Sequence, residues 1–276
     1  MTQTCLILSD ANANYTALYD TMQAHQQISP IPYEIQLVKA AELKNGLLDE
    51  CQPAETTLLI PGAPSAMPYY KGIGEDGMGK IVNAVEAGMI YVGLCAGAYL
   101  AAALEPASYY QYIKSPADLN GLKRRQMDFK LPLLPLHSWG PALEFAALPE
   151  DKLTDDHIFG TANITFSGGT TMKALYMAGP VYENVTESAN TQVLARYNDL
   201  NNCPAAIVKV KRGQGWAIGS GIHPEYTSAQ IQARYPCDPG LQAVRAAYED
   251  VNTTIADNSD QNAALFKLLM ESALTR

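Results

Sequence analysis

Residues 91–99 read Tyr91-Val92-Gly93-Leu94-Cys95-Ala96-Gly97-Ala98-Tyr99. An apolar strand runs straight into a helix start made of small residues. A cysteine stands at the junction, with a glycine two positions to either side. This is the pattern of a nucleophile elbow, the sharp strand-to-helix turn that pushes a side chain out of a sheet. The glycines are needed because the turn packs tightly and strains the backbone at its apex. The stretch therefore predicts an α/β sheet with one strand ending at Leu94 and a helix beginning at the cysteine.

The sequence before the elbow repeats the same alternation. Cys5–Ser9 is an apolar strand. Asn14 can cap a helix that carries Tyr15, Leu18, Tyr19 and Met22 at helical spacing. Tyr33–Val38 alternates as a strand with Tyr33, Ile35 and Leu37 on one face, and Ala40–Leu48 reads as a short helix. Thr56–Ile60 is a continuous apolar strand ending at Pro61-Gly62. Met78, Ile81, Val82 and Val85 form one helix face, which Gly88 stops. Short β-runs separated by helices imply a mainly parallel sheet with helices on both faces. Ligands of such sheets gather at the carboxyl ends of the strands, where both Gly62 and Cys95 fall.

After the elbow the pattern weakens. Prolines 106, 116, 132, 135, 141 and 149 and the Ser167-Gly168-Gly169 cluster predict loops and short strands. An irregular insertion over about 106–189 is expected, placed so as to cover a pocket. Regularity returns as a β-meander at Thr191–Tyr197, Ala205–Val210 and Gly215–Ile222. Asp238-Pro239 opens a helix with Leu241, Val244 and Tyr248 on its apolar face. A last helix near Gln261–Leu274 shows Leu265, Leu268 and Leu269. The chain, residues 1–276, is expected to be a single domain.

Composition excludes several classes of function. The chain has 276 residues, is 47% apolar and carries a net charge of −9 with pI near 4.9. A nucleic-acid partner is not expected from such a charge, and the isolated Lys123-Arg124-Arg125 reads as a solvated loop. No apolar run approaches the ~18 residues of a membrane span. The first residues lack the basic and hydrophobic regions of a signal peptide. Five scattered cysteines, never in a Cys-x-x-Cys pair, argue against a disulfide framework or a zinc site. A cytoplasmic protein without metal or cofactor is expected. Four Asn-x-Ser/Thr matches (Asn14, Asn163, Asn184, Asn252) carry little weight without export. The oligomeric state is left open.

Far from the elbow stands His223-Pro224-Glu225. A thiol is a weak nucleophile until ionised, and a helix N-terminus and a nearby imidazole both favour its thiolate. His223 would take the proton of Cys95 and later deliver it to a leaving group. Glu225 would fix the ring tautomer from the other nitrogen. The Ala96 N–H would point at a developing oxyanion, with a second donor from the turn at Gly62-Ala63. The competing reading of each feature is structural: cysteine is among the most buried residues, and a lone His at a strand end is often a hydrogen-bonded surface group. His137 is a rival base. His157, after two aspartates, and His25, at a helix end, read as a polar loop and as surface.

Taken together, the Pro-Gly turn, the Gly-x-Cys-x-Gly elbow and the His-Pro-Glu ending resemble the class I glutamine amidotransferase-like superfamily. Leu58–Tyr69, Tyr91–Tyr99, Tyr176–Tyr182, Val193–Tyr197 and Gln214–Tyr226 resemble, more narrowly, the family named for the N-terminal domain of biotin-protein ligases. The resemblance implies a flavodoxin-like three-layer fold and a Cys-His-Glu triad at Cys95, His223 and Glu225. It does not imply biotin ligation, because nothing like the Gly/Arg-rich adenylate loop of the ligase domain occurs here. Two departures stand out. The family pattern has Pro-Gly-Gly where this chain has Pro61-Gly62-Ala63. Glutaminases of the superfamily carry a Gln four residues after the nucleophile, where this chain has Tyr99, which argues against glutamine as substrate. The expectation is a thiol-dependent amide hydrolase or amidotransferase-like protein acting on a small amide or peptide-like molecule. The alternatives are a non-catalytic binding or regulatory domain that retains the pocket, and a redox- or aldehyde-handling thiol protein.

Overall fold

A computed structural model describes residues 2–10, 13–104, 131–147, 158–166, 168–234 and 242–275. The readings of Lys123-Arg124-Arg125, His157, Cys237, Asp238-Pro239, Leu241, Ser167 and prolines 106, 116 and 149 lie outside the described residues.

The first hundred residues alternate strand and helix as expected. The strands are β1 (Gln3–Leu8), β2 (Tyr33–Val38), β3 (Thr56–Ile60) and β4 (Ile90–Leu94). The helices between and after them are α1 (Tyr15–Gln26), α2 (Ala40–Lys44), α3 (Met67–Glu86) and α4 (Ala96–Ala101). Asn14 takes the N-cap position of α1, although its side chain does not make the capping bond. Gly46, at φ 103, ends the second helix earlier than its apolar residues suggested. The third helix begins at Met67, well before the expected apolar face. Pro68 sits in its first turn and Gly74 (φ 68) kinks it, so its glycine-rich first half does not read as helix.

Beyond α4 come β5 (Ala102–Leu104), β6 (Leu134–Trp139), β7 (Phe159–Phe166), β8 (Thr170–Met177) and β9 (Val181–Tyr182). The expected meander follows as β10 (Thr191–Tyr197), β11 (Ala205–Arg212) and β12 (Gly215–Ser220). Helices α5 (Ser228–Arg234), α6 (Gln242–Asp257) and α7 (Ser259–Leu274) complete the described chain.

Among the described residues one sheet runs in the order β2-β1-β3-β4-β12-β11-β10-β7-β8. The pairings from β2 through β4 to β12 are parallel, and those from β12 to β8 are antiparallel. The sheet is therefore mixed, which corrects the mainly parallel expectation: the meander reverses direction at every step, and only β12 joins the parallel half. The insertion is likewise less irregular than its prolines implied. It contains a hairpin of two eight-residue strands, β7 and β8, turned at Gly168 (φ 106) and Gly169 (φ 83). Thr- and Asn-rich strands with one wetter face hide this pairing from an apolar-run reading.

Alternate residues of the central strands enter two cores. Cys5 and Ile7 join Leu18 and Met22 of α1 and Leu265, Phe266, Leu269 and Met270 of α7. Leu6 and Leu8 join Leu43, Ile73, Ile81 and Leu100 of α2, α3 and α4. Helices thus cover both faces of the parallel strands, and strands buried on both sides read as continuous apolar runs. Each fully buried side chain of this size stabilises by about 1.5–3 kcal/mol, so the four from α7 hold that helix firmly on the sheet. Within the described residues no helix is long and apolar enough to cross a membrane.

His25 corrects the surface reading. It is 4% exposed, its Nδ1 lies 2.9 Å from the Tyr33 hydroxyl, and Phe266 meets its ring edge-on. Leu18, Met22 and His25 are spaced four and three apart, so His25 lies on the inward face of α1 despite its polar neighbours. Burial lowers its pKa; the Glu271 charge opposes this and Lys267 reinforces it.

Candidate functional site

Three neighbouring parallel strands, β3, β4 and β12, deliver the site from their carboxyl ends. Gly62 lies two residues past β3, Cys95 directly past β4, and His223 three residues past β12. Parallel strands place these ends on one edge of the sheet, where the loops are free to carry side chains chosen for chemistry.

Cys95 has φ 48 and ψ −104, a conformation that side-chain-bearing residues avoid. The surroundings impose it. The Cys95 N–H donates to Ser220 O at 2.9 Å, tying the elbow to the end of β12. A Cβ on Gly97 would lie 2.1 Å from Ile60 O, and one on Gly93 would lie 2.5 Å from the Gly97 carbonyl carbon. The two flanking glycines are therefore the contact surface that lets α4 press against β3 and β4. Cys95 is 7% exposed, and its thiol donates to Met177 O at 3.3 Å.

His223 and Glu225 are 2% and 1% exposed, with Nδ1 of the ring 2.7 Å from Glu225 Oε1. The loop holding them is fixed by its backbone: His223 N–H donates to Leu175 O at 2.9 Å, and Thr21 Oγ1 donates to Glu225 O at 2.8 Å. The Tyr226 ring stands edge-on to the imidazole, 5.7 Å between centroids. Burial alone pushes the imidazole pKa down, but the Glu225 charge, hydrogen bonding to Cys95 and Glu225, and the Cys95 charge outweigh it. The result is a pKa raised to about 10.

Gly62 joins the two halves. A Cβ there would lie 2.9 Å from His223 Cε1 and 3.5 Å from Cys95 Cβ. Elbow and imidazole therefore flank the same glycine, and both belong to one buried cluster. Two observations on their contact differ. Cys95 contributes to the raised basicity of the ring, yet His223 Nε2 has no hydrogen-bond partner that meets bonding geometry, and neither does Glu225 Oε2. The geometry decides for the resting state: the thiol is turned to Met177 O, close to the ring but not bonded to it.

The remaining expected residues lie around this cluster. Ala96 is the first residue of α4, and Ala63 is half-buried beside the second core. Tyr99 is 8% exposed, and its hydroxyl donates to Ala178 O at 3.0 Å. A Cβ on Gly140 would lie 2.1 Å from that hydroxyl, so the phenol is wedged between Gly140 and the segment after β8. Sequence reasoning assigned no role to Met177, Ala178 (φ 55) or Tyr69, all of which touch the site. Nothing local in Met-Ala-Gly-Pro marks a backbone that will receive the side chains of Cys95 and Tyr99. The rival base is elsewhere: His137, on β6, lies 3.5 Å from Glu183. Among the described residues no cluster of three or more His, Cys, Asp or Glu could hold a metal ion.

Comparison with known proteins agrees with the resemblance drawn from the motifs. A protein of Chlamydia muridarum, itself uncharacterized, is 30% identical over 230 residues, covering 81% of each chain. The biotin–protein ligase of Schizosaccharomyces pombe is 28% identical over 225 residues, covering 81% of this chain. This chain spans only 33% of that ligase's length. Among solved structures, the exo-β-1,4-mannosidase Op5Man5 from Opitutaceae bacterium strain TAV5 superposes on 100% of this chain and 37% of its own. Its TM-score is 0.43 and its identity 11%. The family described as biotin-protein ligase, N terminal, matches residues 3–121 and 154–274, most of the sequence. The chain belongs to the biotin-protein ligase N-terminal family.

Proposed function

We propose that this protein is a thiol-dependent amide hydrolase or amidotransferase-like enzyme acting on a small amide or peptide-like molecule. The observation that carries the reading is that Cys95 and His223 both face the position a Cβ on Gly62 would take, with Glu225 held 2.7 Å from the ring's Nδ1. A buried carboxylate on Nδ1 favours the protonated ring and makes the imidazole a stronger base. In the reaction the Cys95 proton passes to His223, and the ring, held by Glu225, then serves as the acid. Cys95 sulfur attacks the amide carbonyl. The C–N bond breaks, the amine leaves with the proton of His223, and an acyl-Cys95 remains. Water or a second amine, deprotonated by His223, then attacks the acyl carbon and releases Cys95.

The parallel half has the strand order 2-1-3-4-5, with β12 in fifth place, and helices on both faces. That order supports a flavodoxin-like three-layer architecture. One sheet continuous from residue 3 to residue 220 supports a single domain. Cys5, Cys51, Cys95 and Cys203 are free thiols, which supports a cytoplasmic location. Tyr99, committed to Ala178 O, supports a substrate other than glutamine.

A second reading is a binding or regulatory domain that keeps the pocket without turnover. It is favoured by the resting thiol facing Met177 O instead of the ring. Intact-protein mass spectrometry during iodoacetamide labelling separates the two. The enzyme reading expects a first, fast adduct on Cys95, slowed at least tenfold in His223→Ala. Cys5 supplies the internal contrast, since burial pushes its thiol up to about 12. Labelling of Cys95 only on unfolding would establish the binding reading instead. A diazoketone of glutamine shape, tested alongside, is expected to leave Cys95 unmodified because of Tyr99.

A further inference from the structure

The turn after β3 carries an unusual arrangement of carbonyls. Tyr69, 1% exposed, directs its hydroxyl at two of them, Pro61 O at 3.3 Å and Gly62 O at 3.1 Å. The Asn14 N–H donates to Gly62 O as well, at 2.8 Å. Two consecutive carbonyls are thus drawn to one side, toward α3 and the start of α1. Among the described residues only Gly140-Pro141 is cis, so both peptides of this turn are trans. A trans peptide points its N–H opposite to its C=O. With the Pro61 and Gly62 carbonyls held by Tyr69, the N–H groups of Gly62 and Ala63 are turned the other way. A Cβ on Gly62 would meet His223 Cε1 at 2.9 Å and Cys95 Cβ at 3.5 Å, so this turn borders the Cys95 site. Among the described residues neither amide donates to another backbone group.

We propose that Tyr69 is a positioning residue that orients the Gly62 and Ala63 amides as the second oxyanion donor of the Cys95 site. The inference rests on the thiol-hydrolase reading above and adds how its charge-stabilising half is built. It also accounts for Ala63 where the family pattern has glycine. The amide direction is fixed by what holds the carbonyls, so a methyl group on residue 63 does not disturb it. Burial, then the nearby Cys95, Asp10 and Tyr226 charges, push the Tyr69 phenol up, so it remains a hydrogen donor throughout the working pH range.

The test separates steps that need an oxyanion site from those that do not. p-Nitrophenyl acetate acylates a thiolate through a tetrahedral oxyanion: the sulfur bonds the acetyl carbon, and p-nitrophenolate leaves with the electron pair. Alkylation by iodoacetamide displaces iodide at a saturated carbon and builds no oxyanion. In Tyr69→Phe, acylation of Cys95 is expected to fall 10- to 100-fold while alkylation stays within about twofold. Removing a direct oxyanion donor costs ~10²–10³ in rate, and a donor loosened through its carbonyl costs less. A second measurement guards against misfolding: binding of butyraldehyde as the Cys95 thiohemiacetal should weaken in parallel with acylation in Tyr69→Phe. Equal falls in acylation and alkylation, or no change in either, would overturn the positioning role and leave the nucleophile standing. If wild-type Cys95 takes neither reagent, the hydrolase reading fails and this inference fails with it.

Discussion

The two halves of the sheet differ in how they are built and in what they contribute. From β2 to β12 the strands are parallel, and β1, β3 and β4 are buried on both faces. Their ends carry Gly62, Cys95 and His223. From β11 to β8 they are antiparallel, β10, β7 and β8 carry more exposed positions, and none of them supplies a member of the Cys-His-Glu set. The antiparallel half instead delivers the end of β8 and the residue after it, Met177 and Ala178, whose carbonyls receive the Cys95 thiol and the Tyr99 hydroxyl. One half assembles the candidate site and the other covers it.

Glu225→Gln should break the contrast hardest. A buried pair that loses one charge costs about 3–5 kcal/mol. The sign follows from the imidazole: its folded pKa is raised to about 10 from an ordinary value of 6.5. The stability it contributes is therefore complete below pH 6.5 and declines as pH rises through 10. Urea unfolding at a series of pH values should show the gap between wild type and variant widest near pH 6, above the ordinary carboxylate range, and narrowing toward pH 10. A gap independent of pH would show that the pair is not ionised.

Gly97→Ala comes next, in the parallel half. Its methyl group would lie 2.1 Å from Ile60 O, so α4 must lift from β3. A loss of about 3 kcal/mol is expected by urea titration, with slower iodoacetamide labelling of Cys95 as the elbow relaxes. The smallest effect belongs to Gly169→Ala at the β7–β8 turn. Nothing lies within 4 Å of the added Cβ, and only the left-handed φ of 83 is penalised. The cost should be about 1 kcal/mol with no change in Cys95 labelling. If Gly169→Ala slows labelling as much as Gly97→Ala does, the two halves are coupled more tightly than their packing indicates.

Legibility in the sequence followed the same division. Continuous apolar runs gave Thr56–Ile60 and Ile90–Leu94 to the residue, and alternation gave Tyr33–Val38. Thr191–Tyr197 was equally clear from the even spacing of the meander's strands, although a register shift between Val193 and Arg196 breaks its own alternation. The β7–β8 hairpin was not legible: Ala162, Ile164 and Phe166 alternate with Thr161, Asn163 and Thr165 and make no continuous apolar run, and the prolines before them and the Ser167-Gly168-Gly169 cluster suggested loops. The Cys95, His223 and Glu225 set could be read because each stands at the end of a recognisable strand. Tyr69 and Met177 could not, since one acts through a hydroxyl on backbone carbonyls and the other through its own carbonyl. Neither interaction leaves a residue pattern. His25 was misread because its glutamine neighbours advertise a wet surface that only the other side of the helix has.

The place of β12 between β4 and β11 has a consequence for synthesis. When residues 90–94 leave the ribosome, the strand that will lie on their far side is still more than a hundred residues from being made. Until then the nascent chain presents an open, fully apolar strand border beside the elbow, the kind of border that invites pairing with other chains. Its closure and the arrival of His223 are one event, so no half-made molecule carries the thiol and the imidazole together.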